Sequence, residues 1–266
     1  MGKSSDSAPK ATLANWWSSS DAVIRAGIWV GALLALLALV GIVPQICFLL
    51  SGFLYLGYTL ACQDFLSFQW DNMLIESSVL AAMLSRRHRS ALAHFACRAM
   101  LFKLYFESGI AKWQSHLGDW HDGSAMTFYY ETAPIPTWLA WYFHHLPEWW
   151  HHFEAHATLV LELILPFFIF GPRLARALAF VAFSGFQILD LSTANYGFFC
   201  YHALFLGVFL LSEEQAQWFS ARCAAGWNRV RARLGRAATE SMARAARNRR
   251  ARPRAVRIAS TTALAL

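Results

Sequence analysis

Apolar residues along this chain gather into long blocks separated by short polar segments. The clearest block is AVIRAGIWVGALLALLALVGIV (22–43), interrupted by a single charge, Arg25. It is followed by CFLLSGFLYLGYTLAC (47–62), ALAHFACRAMLFKLYFESGIAKW (91–113), HFEAHATLVLELILPFFIFG (152–171), ALAFVAFSGFQILDLSTANYG (177–197) and FFCYHALFLGVFLL (198–211). A helix rises ~1.5 Å per residue and needs about 20 apolar residues to cross a bilayer, so several of these blocks are long enough. Arg25 lies close enough to its block's end for its stem to carry the charge to the headgroups. The pattern predicts an all-α fold, a polytopic transmembrane helical bundle of about six membrane helices with an interfacial helix in an outer loop.

Composition points the same way. Charged residues make up 15% of the 266 positions, against roughly 25% in an average soluble protein, and 57% are hydrophobic. The start, MGKSSDSAPKATLANWW, does not read as a cleavable signal, because the first apolar run exceeds the ~7–15 residues of such a signal and no small-residue cleavage pattern follows. Five cysteines are scattered without a close pair and read as packing residues. The chain divides into a polar amino-terminal segment (1–21), a transmembrane helical domain (22–211) and an arginine-rich tail (212–266).

The formal net charge of +7 resides largely in that tail, where nine arginines and one glutamate follow position 232. Without aromatic interleaving or a nucleic-acid fold signature, the tail reads as a disordered extension against anionic lipid headgroups. No nucleic-acid partner is expected.

Lysine and arginine in short loops stay on the cytoplasmic side. Placing RRHR (86–89), PRLAR (172–176) and the tail inside sends 91–113 outward and 152–171 inward, and puts 114–151 on the outer face. Trp113, Trp120, Trp138, Trp141, Trp149 and Trp150 mark that loop, and indoles favour the headgroup level. A short helix in the membrane plane is therefore expected from about Trp138 to Trp150, with Thr137 as N-cap and Pro147 kinking or restarting it. Residues 63–85 leave two options open: either 68–84 re-enters without crossing, or the amino terminus lies outside.

Ionisable groups inside membrane segments are functional candidates, since an exposed charge there costs at least ~2.5 kcal/mol. Block 91–113 carries Arg98, Lys103, Glu107 and Lys112. At about 100° per residue, Arg98 and Lys112 share one face, while Lys103 and Glu107 form an i, i+4 pair on roughly the opposite one. Glu107 is expected to neutralise Lys103. Lys112 either reaches the headgroups or, desolvated beside Trp113, acts as a base. Gln69, Asp71, Glu76, Glu162 and Asp190 complete the set of buried polar residues, either as packing pairs for Arg98 and Lys103 or as functional groups.

The segment 129–156 holds five histidines and three carboxylates with no lysine or arginine. Glu148 and His151 form one E-x-x-H pair, and His152 and His156 share a helix face. Carboxylate-bridged metal sites need that pair from two separate helices. The histidines therefore read as interfacial imidazoles, with no metal or other cofactor expected.

FLSFQWDNMLIES, SGIAK, YYETAPIPTWLAWYFHHLP and FEAHATLVLELILPFFIFG resemble, in order and spacing, the lipase maturation factor family over roughly residues 50–211. More distantly, SGIAKW is similar to the A-G-x-x-K segment of vitamin K-dependent gamma-carboxylase and related bacterial membrane domains, whose lysine acts on a reduced quinone. The first resemblance implies a non-enzymatic membrane protein that assists folding of a secreted client such as a lipase. Its implied client-binding or ligand-binding surface comprises Tyr129, Tyr130, Glu131, Pro134, Trp141, His144 and His145. The second implies a membrane enzyme with Lys112 as base, tuned by Glu107, on a quinone or lipid. The chain departs from the maturation-factor pattern at Tyr129, Ala133, Ala194 and Cys200. Family members are also longer, with a carboxy-terminal soluble domain associated with client handling where this chain reads as an arginine-rich tail. Membrane lipids are the expected surroundings, in a bacterium those of the cell inner membrane.

Overall fold

The structure is a computed structural model that describes residues 20–84 and 90–251, and within them every side chain except those of 63 and 233–251. RRHR (86–89) and most of the amino-terminal segment lie outside the described residues. All regular structure described is helical. The helices are α1 (Asp21–Leu39), α2 (Pro44–Cys62), α3 (Gln69–Met83), α4 (Ala91–Trp113), α5 (Asp119–Asp122) and α6 (Ala125–Thr132), then α7 (Trp138–His144), α8 (Glu148–Leu163), α9 (Arg173–Thr193), α10 (Phe199–Gly207) and α11 (Glu213–Ala251). Four stretches among the described residues are long and apolar enough to cross a membrane: α1, α2, Glu148–Phe170 and α9. The fold is an all-α membrane bundle.

Side-chain contacts fix the helix directions. Tyr58 of α2 donates to the Ile24 carbonyl of α1, while Gly31 faces Leu54. Tyr55 reaches Asp71 of α3 and Gly52 faces Ser78. Ser108 of α4 reaches Gln69, and Lys103 reaches Glu76. Each pairing runs in opposite order along its two helices, so α1 to α4 alternate in direction. The starts of α1 and α3 therefore share a face with the end of α4, so the start of α1 lies on the same side of the bundle as the start of the segment that follows α4. Although α3 has only 15 residues, it runs antiparallel between α2 and α4 and is held to both.

α4 is the central element. Leu101, Leu104 and Tyr105 are buried with Ile169, Phe183 and Leu206, and the Tyr105 and Phe183 rings stack with centroids 3.9 Å apart. α8 does not continue to Phe170 as a regular helix. Pro166 has no N–H for an i→i−4 bond and its ring crowds the preceding turn, so Leu165–Phe170 tightens into a 3₁₀ turn. α1 buries no side chain and exposes Trp29 and Leu39, as a helix facing lipid does.

The stretch 138–150 has the expected Thr137 cap and a restart at Pro147, and the second piece runs on to Leu163 as α8. Thr137 caps α7, accepting the Leu139 N–H at 3.2 Å. The chain then breaks at Leu146 and restarts, with Pro147 as the extended residue before α8. Gly123 turns α5 into α6 at φ +85°, a conformation that favours glycine, and a β-carbon there would also press on the rings of His152 and His156, 2.7 Å away.

Ser212–Leu266 forms a second unit. There the expected irregular extension is, over Glu213–Ala251, a helix of 39 residues. Ser212 and Gln215 bond reciprocally at its start, in an S-x-x-Q capping box, and alanine and arginine both favour helix.

In a background lacking the five native cysteines, cysteines introduced at Ser20 and Ser115 are expected to label from the same side of the membrane. Labelling from opposite sides would mean that α3 does not run the full depth of the bundle.

Candidate functional site

The expected buried polar residues separate into structural pairs and a wall around one cavity. Asp71 is structural: its carboxylate accepts the Phe68 N–H at 3.0 Å and the Tyr55 hydroxyl at 2.6 Å. FQWD is thus a helix start in which the third residue of α3 bonds back to the residue before the helix. Lys103 bonds Glu76 of α3 at 2.5 Å, the cross-bundle partner, and not Glu107 one turn along as expected. Arg98 donates to the Phe209 carbonyl at 2.8 Å and Arg176 to the Leu210 carbonyl at 3.3 Å, satisfying carbonyls that the closing turn of α10 leaves without helical partners. Gln69 holds α3 to α4 through the Leu104 carbonyl and Ser108.

Lys112 is different. Its ammonium donates to both carboxylate oxygens of Glu162 at 2.8 and 2.7 Å and sits 5.4 Å from the centre of the Trp120 ring. The lysine side chain is 25% exposed and the glutamate 4%. Gly109, one turn earlier, makes this pairing possible. A β-carbon there would lie 2.9 Å from Glu162 Cβ and 3.0 Å from the Glu162 carbonyl carbon, so only glycine admits α8 this closely. SGIAK therefore reads as Ser108 for α3, Gly109 for the approach of α8, and Lys112 for its carboxylate. Lys112 neither reaches for headgroups nor stands alone.

The pair lines a cavity of about 400 Å³ enclosed by the ends of α3, α4, α8, α9 and α10 together with α6. Glu154, Asp190, Gln187, Tyr129 and Tyr130 are among its other polar groups. The Tyr130 hydroxyl lies 2.9 and 3.0 Å from the two Glu154 oxygens, and the Tyr129 hydroxyl 2.8 Å from that of Tyr196. Burial, reinforced by the negative charge of Glu154, pushes the Tyr130 phenol well above its ordinary range. Burial, then the charge of Asp190, does the same to Tyr129, and burial raises Tyr196. These phenols remain protonated hydrogen-bond donors at any physiological pH.

The expected client surface divides. Tyr130 is buried and Tyr129 lines the cavity, whereas Glu131, Pro134, Trp141 and His145 are exposed. Glu131 contacts His144 at 3.1 Å, and the His145 ring lies 4.1 Å from that of Trp141. Backbone bonds from Thr137 N–H to the Thr193 carbonyl (3.0 Å) and from Asn195 N–H to the Pro134 carbonyl (2.8 Å) pin the PIP turn to the end of α9. Ile135 (75% exposed), Trp138 (77%), Tyr142 and Trp149 extend the face. Glu107 is exposed, beside Lys112 in a second, polar cleft. Among the described residues no three histidine, cysteine, aspartate or glutamate side chains are grouped to hold a metal. His152 lies 3.7 Å from Glu148, and the His156 ring bonds the His152 carbonyl at 2.7 Å.

Sequence reasoning did not foresee the cavity, Tyr196, Gln187 as a wall residue, or the Lys112–Glu162 pair. The spacing of Gly109 and Lys112 on one helix face was the available signal for the last.

Residues 3–218 match the lipase maturation factor transmembrane domain family. The chain is 37% identical over 172 residues to lipase maturation factor 2 of Gallus gallus, covering 60% of this chain and 24% of that protein. Against lipase maturation factor 2 of Homo sapiens it is 35% identical over 205 residues, 69% of this chain and 29% of the relative. Against lipase maturation factor 1 of Mus musculus the identity is 31% over 157 residues, 54% and 27% respectively. The chain thus spans about a quarter of the length of the curated relatives it matches. No solved structure matches.

Lys112→Met leaves Glu162 buried without its cation and is expected to cost about 3–5 kcal/mol of stability, while Lys112→Met with Glu162→Leu recovers most of it. Thermal unfolding of the three purified proteins in detergent checks this, and equal loss in the single and double variants would refute it. Gly109→Ala forces α4 and α8 apart and is expected to lower stability by about 1–3 kcal/mol in the same measurement.

Proposed function

The chain belongs to the lipase maturation factor family, and from that premise we propose that it is an integral membrane protein that assists the maturation of a secreted client. A lipase is the client type to which its relatives' names point. The observation that carries the proposal is the exposed aromatic face of Ile135, Trp138, Trp141, Tyr142 and Trp149, held against the end of α9 by two backbone bonds. Large, rigid side chains on a fixed backbone lose little entropy on contact, which makes such a face suited to recurring, reversible engagement of an apolar client surface. With the basic clusters inside, this face lies outside, in a bacterium on the periplasmic side of the inner membrane, where an exported chain emerges.

A second reading, a membrane enzyme using Lys112 as a base on a quinone or lipid, has one observation in its favour: Lys112 lines the cavity. The bidentate bond to Glu162 engages the amine, so a base role requires that pair to open. Lys112 is therefore read first as a clamp between α4 and α8.

Secretion of a panel of lipases with and without this protein tests the first reading. Active secreted lipase is expected to rise for at least one client, and to return to the background level with Trp138→Ser/Trp141→Ser at unchanged membrane yield. No effect across the panel would count against client maturation. Lys112→Arg keeps the clamp and is expected to preserve the effect, whereas loss of all effect with normal folding would favour the enzyme.

A further inference from the structure

The space beside Lys112 is larger than a packing defect. Its volume of about 400 Å³ falls within the ~300–1,000 Å³ of ligand pockets. The polar cleft holding Glu107 and Ser115 adjoins it, sharing Gln69, Ser108, Lys112 and Trp120. Most of the wall is aromatic ring and hydrocarbon, with Trp70, Trp120, Trp150 and Phe199 among the rings.

The formal charges on this wall do not balance. Three carboxylates, Glu154, Glu162 and Asp190, face one cation, Lys112, and both oxygens of Glu162 already hold that cation. Glu154 has the Tyr130 hydroxyl, and the ring of His151 3.8 Å away. Asp190 has the neutral Tyr129 phenol as its partner and no cation within 4 Å among the described residues. Gln187, one turn earlier on α9, is 2% exposed. Its amide N–H donates to Tyr105, and its carbonyl oxygen has no donor. One orphaned acceptor, the Gln187 carbonyl oxygen, and a carboxylate whose donor is the neutral Tyr129 phenol thus meet on one helix at a cavity of aromatic rings, a setting that suits a donor carrying positive charge.

We propose that this cavity binds an amphiphile with a primary ammonium head. The ammonium sits between Asp190 and the Gln187 carbonyl oxygen, with aromatic faces around it, and the alkyl chain runs along Leu161 and Phe153. A carboxylate or phosphate head placed there meets uncompensated like charge, and a neutral head adds no positive charge to a wall of three carboxylates and one lysine.

The test uses the full chain purified in dodecyl maltoside and titrated with octylammonium, with octanol and octanoate as neutral and anionic counterparts of equal chain length. Octylammonium is expected to change tryptophan fluorescence saturably, at about tenfold lower concentration than octanol, and octanoate not at all. Asp190→Asn raises the half-saturating concentration about tenfold. Ala157→Trp, at an exposed position on the cavity wall, abolishes saturation with unfolding temperature unchanged. Phosphatidylethanolamine in mixed micelles separates the sources. Displacement of octylammonium assigns the site to a membrane lipid, and binding of octylammonium without such displacement assigns it to a single-chain amine, both within the proposal. Octanol binding as tightly as octylammonium, octanoate binding more tightly, or unaltered octylammonium binding by folded Ala157→Trp or Asp190→Asn protein overturns it.

Discussion

The close approach of α4 and α8 at Gly109 is the constraint on which the rest of the bundle depends. Without a β-carbon at that position the two backbones come within reach of each other, and Lys112 one turn later meets both oxygens of Glu162. Taking two charges out of water is costly, and their attraction offsets that cost only where the geometry is good. Here the contact orients the end of α4 against the end of α8. In doing so it leaves the space into which Tyr129, Tyr130 and Asp190 converge.

Polar groups elsewhere in the bundle follow the same logic on a smaller scale. In hydrocarbon an unmatched backbone or side-chain group is penalised far more than in water. Asp71 is accordingly spent on a helix start and a tyrosine, Lys103 on Glu76, and Arg98 on the carbonyl of Phe209. Each such bond also fixes a helix–helix register, which is how the alternating directions of α1 to α4 are maintained although α1 buries no side chain. The Gln187 carbonyl oxygen departs from this pattern, and it lies on the cavity wall with Asp190.

The outer loop separates two kinds of surface within one run of sequence. YYETAPIPTW sends its tyrosines inward to Glu154 and Tyr196 and its isoleucine and tryptophan outward. The turn at Pro134–Thr137, bonded to Thr193 and Asn195, separates the inward part from the outward one. The exposed aromatic face and the cavity wall thus share a backbone.

What the sequence by itself determined was the solvent and the class of fold. Blocks of about 20 apolar residues have no alternative to helix in a bilayer, and prolines at 147 and 166 mark breaks whatever packs around them. The motifs also carried the family, because FQWD, SGIAK and YYETAPIP are local. Tertiary structure alone decided the partners. Lys103 had a carboxylate one turn away at Glu107 and found Glu76 on another helix. Lys112 is separated from Glu162 by 50 positions. Tyr129 and Tyr130, adjacent in the chain, turned to Tyr196 in the connection after α9 and to Glu154 of α8. Periodicity reports which face of a helix a residue occupies; which helix lies opposite that face depends on how closely backbones approach, and that is a property of the packed bundle.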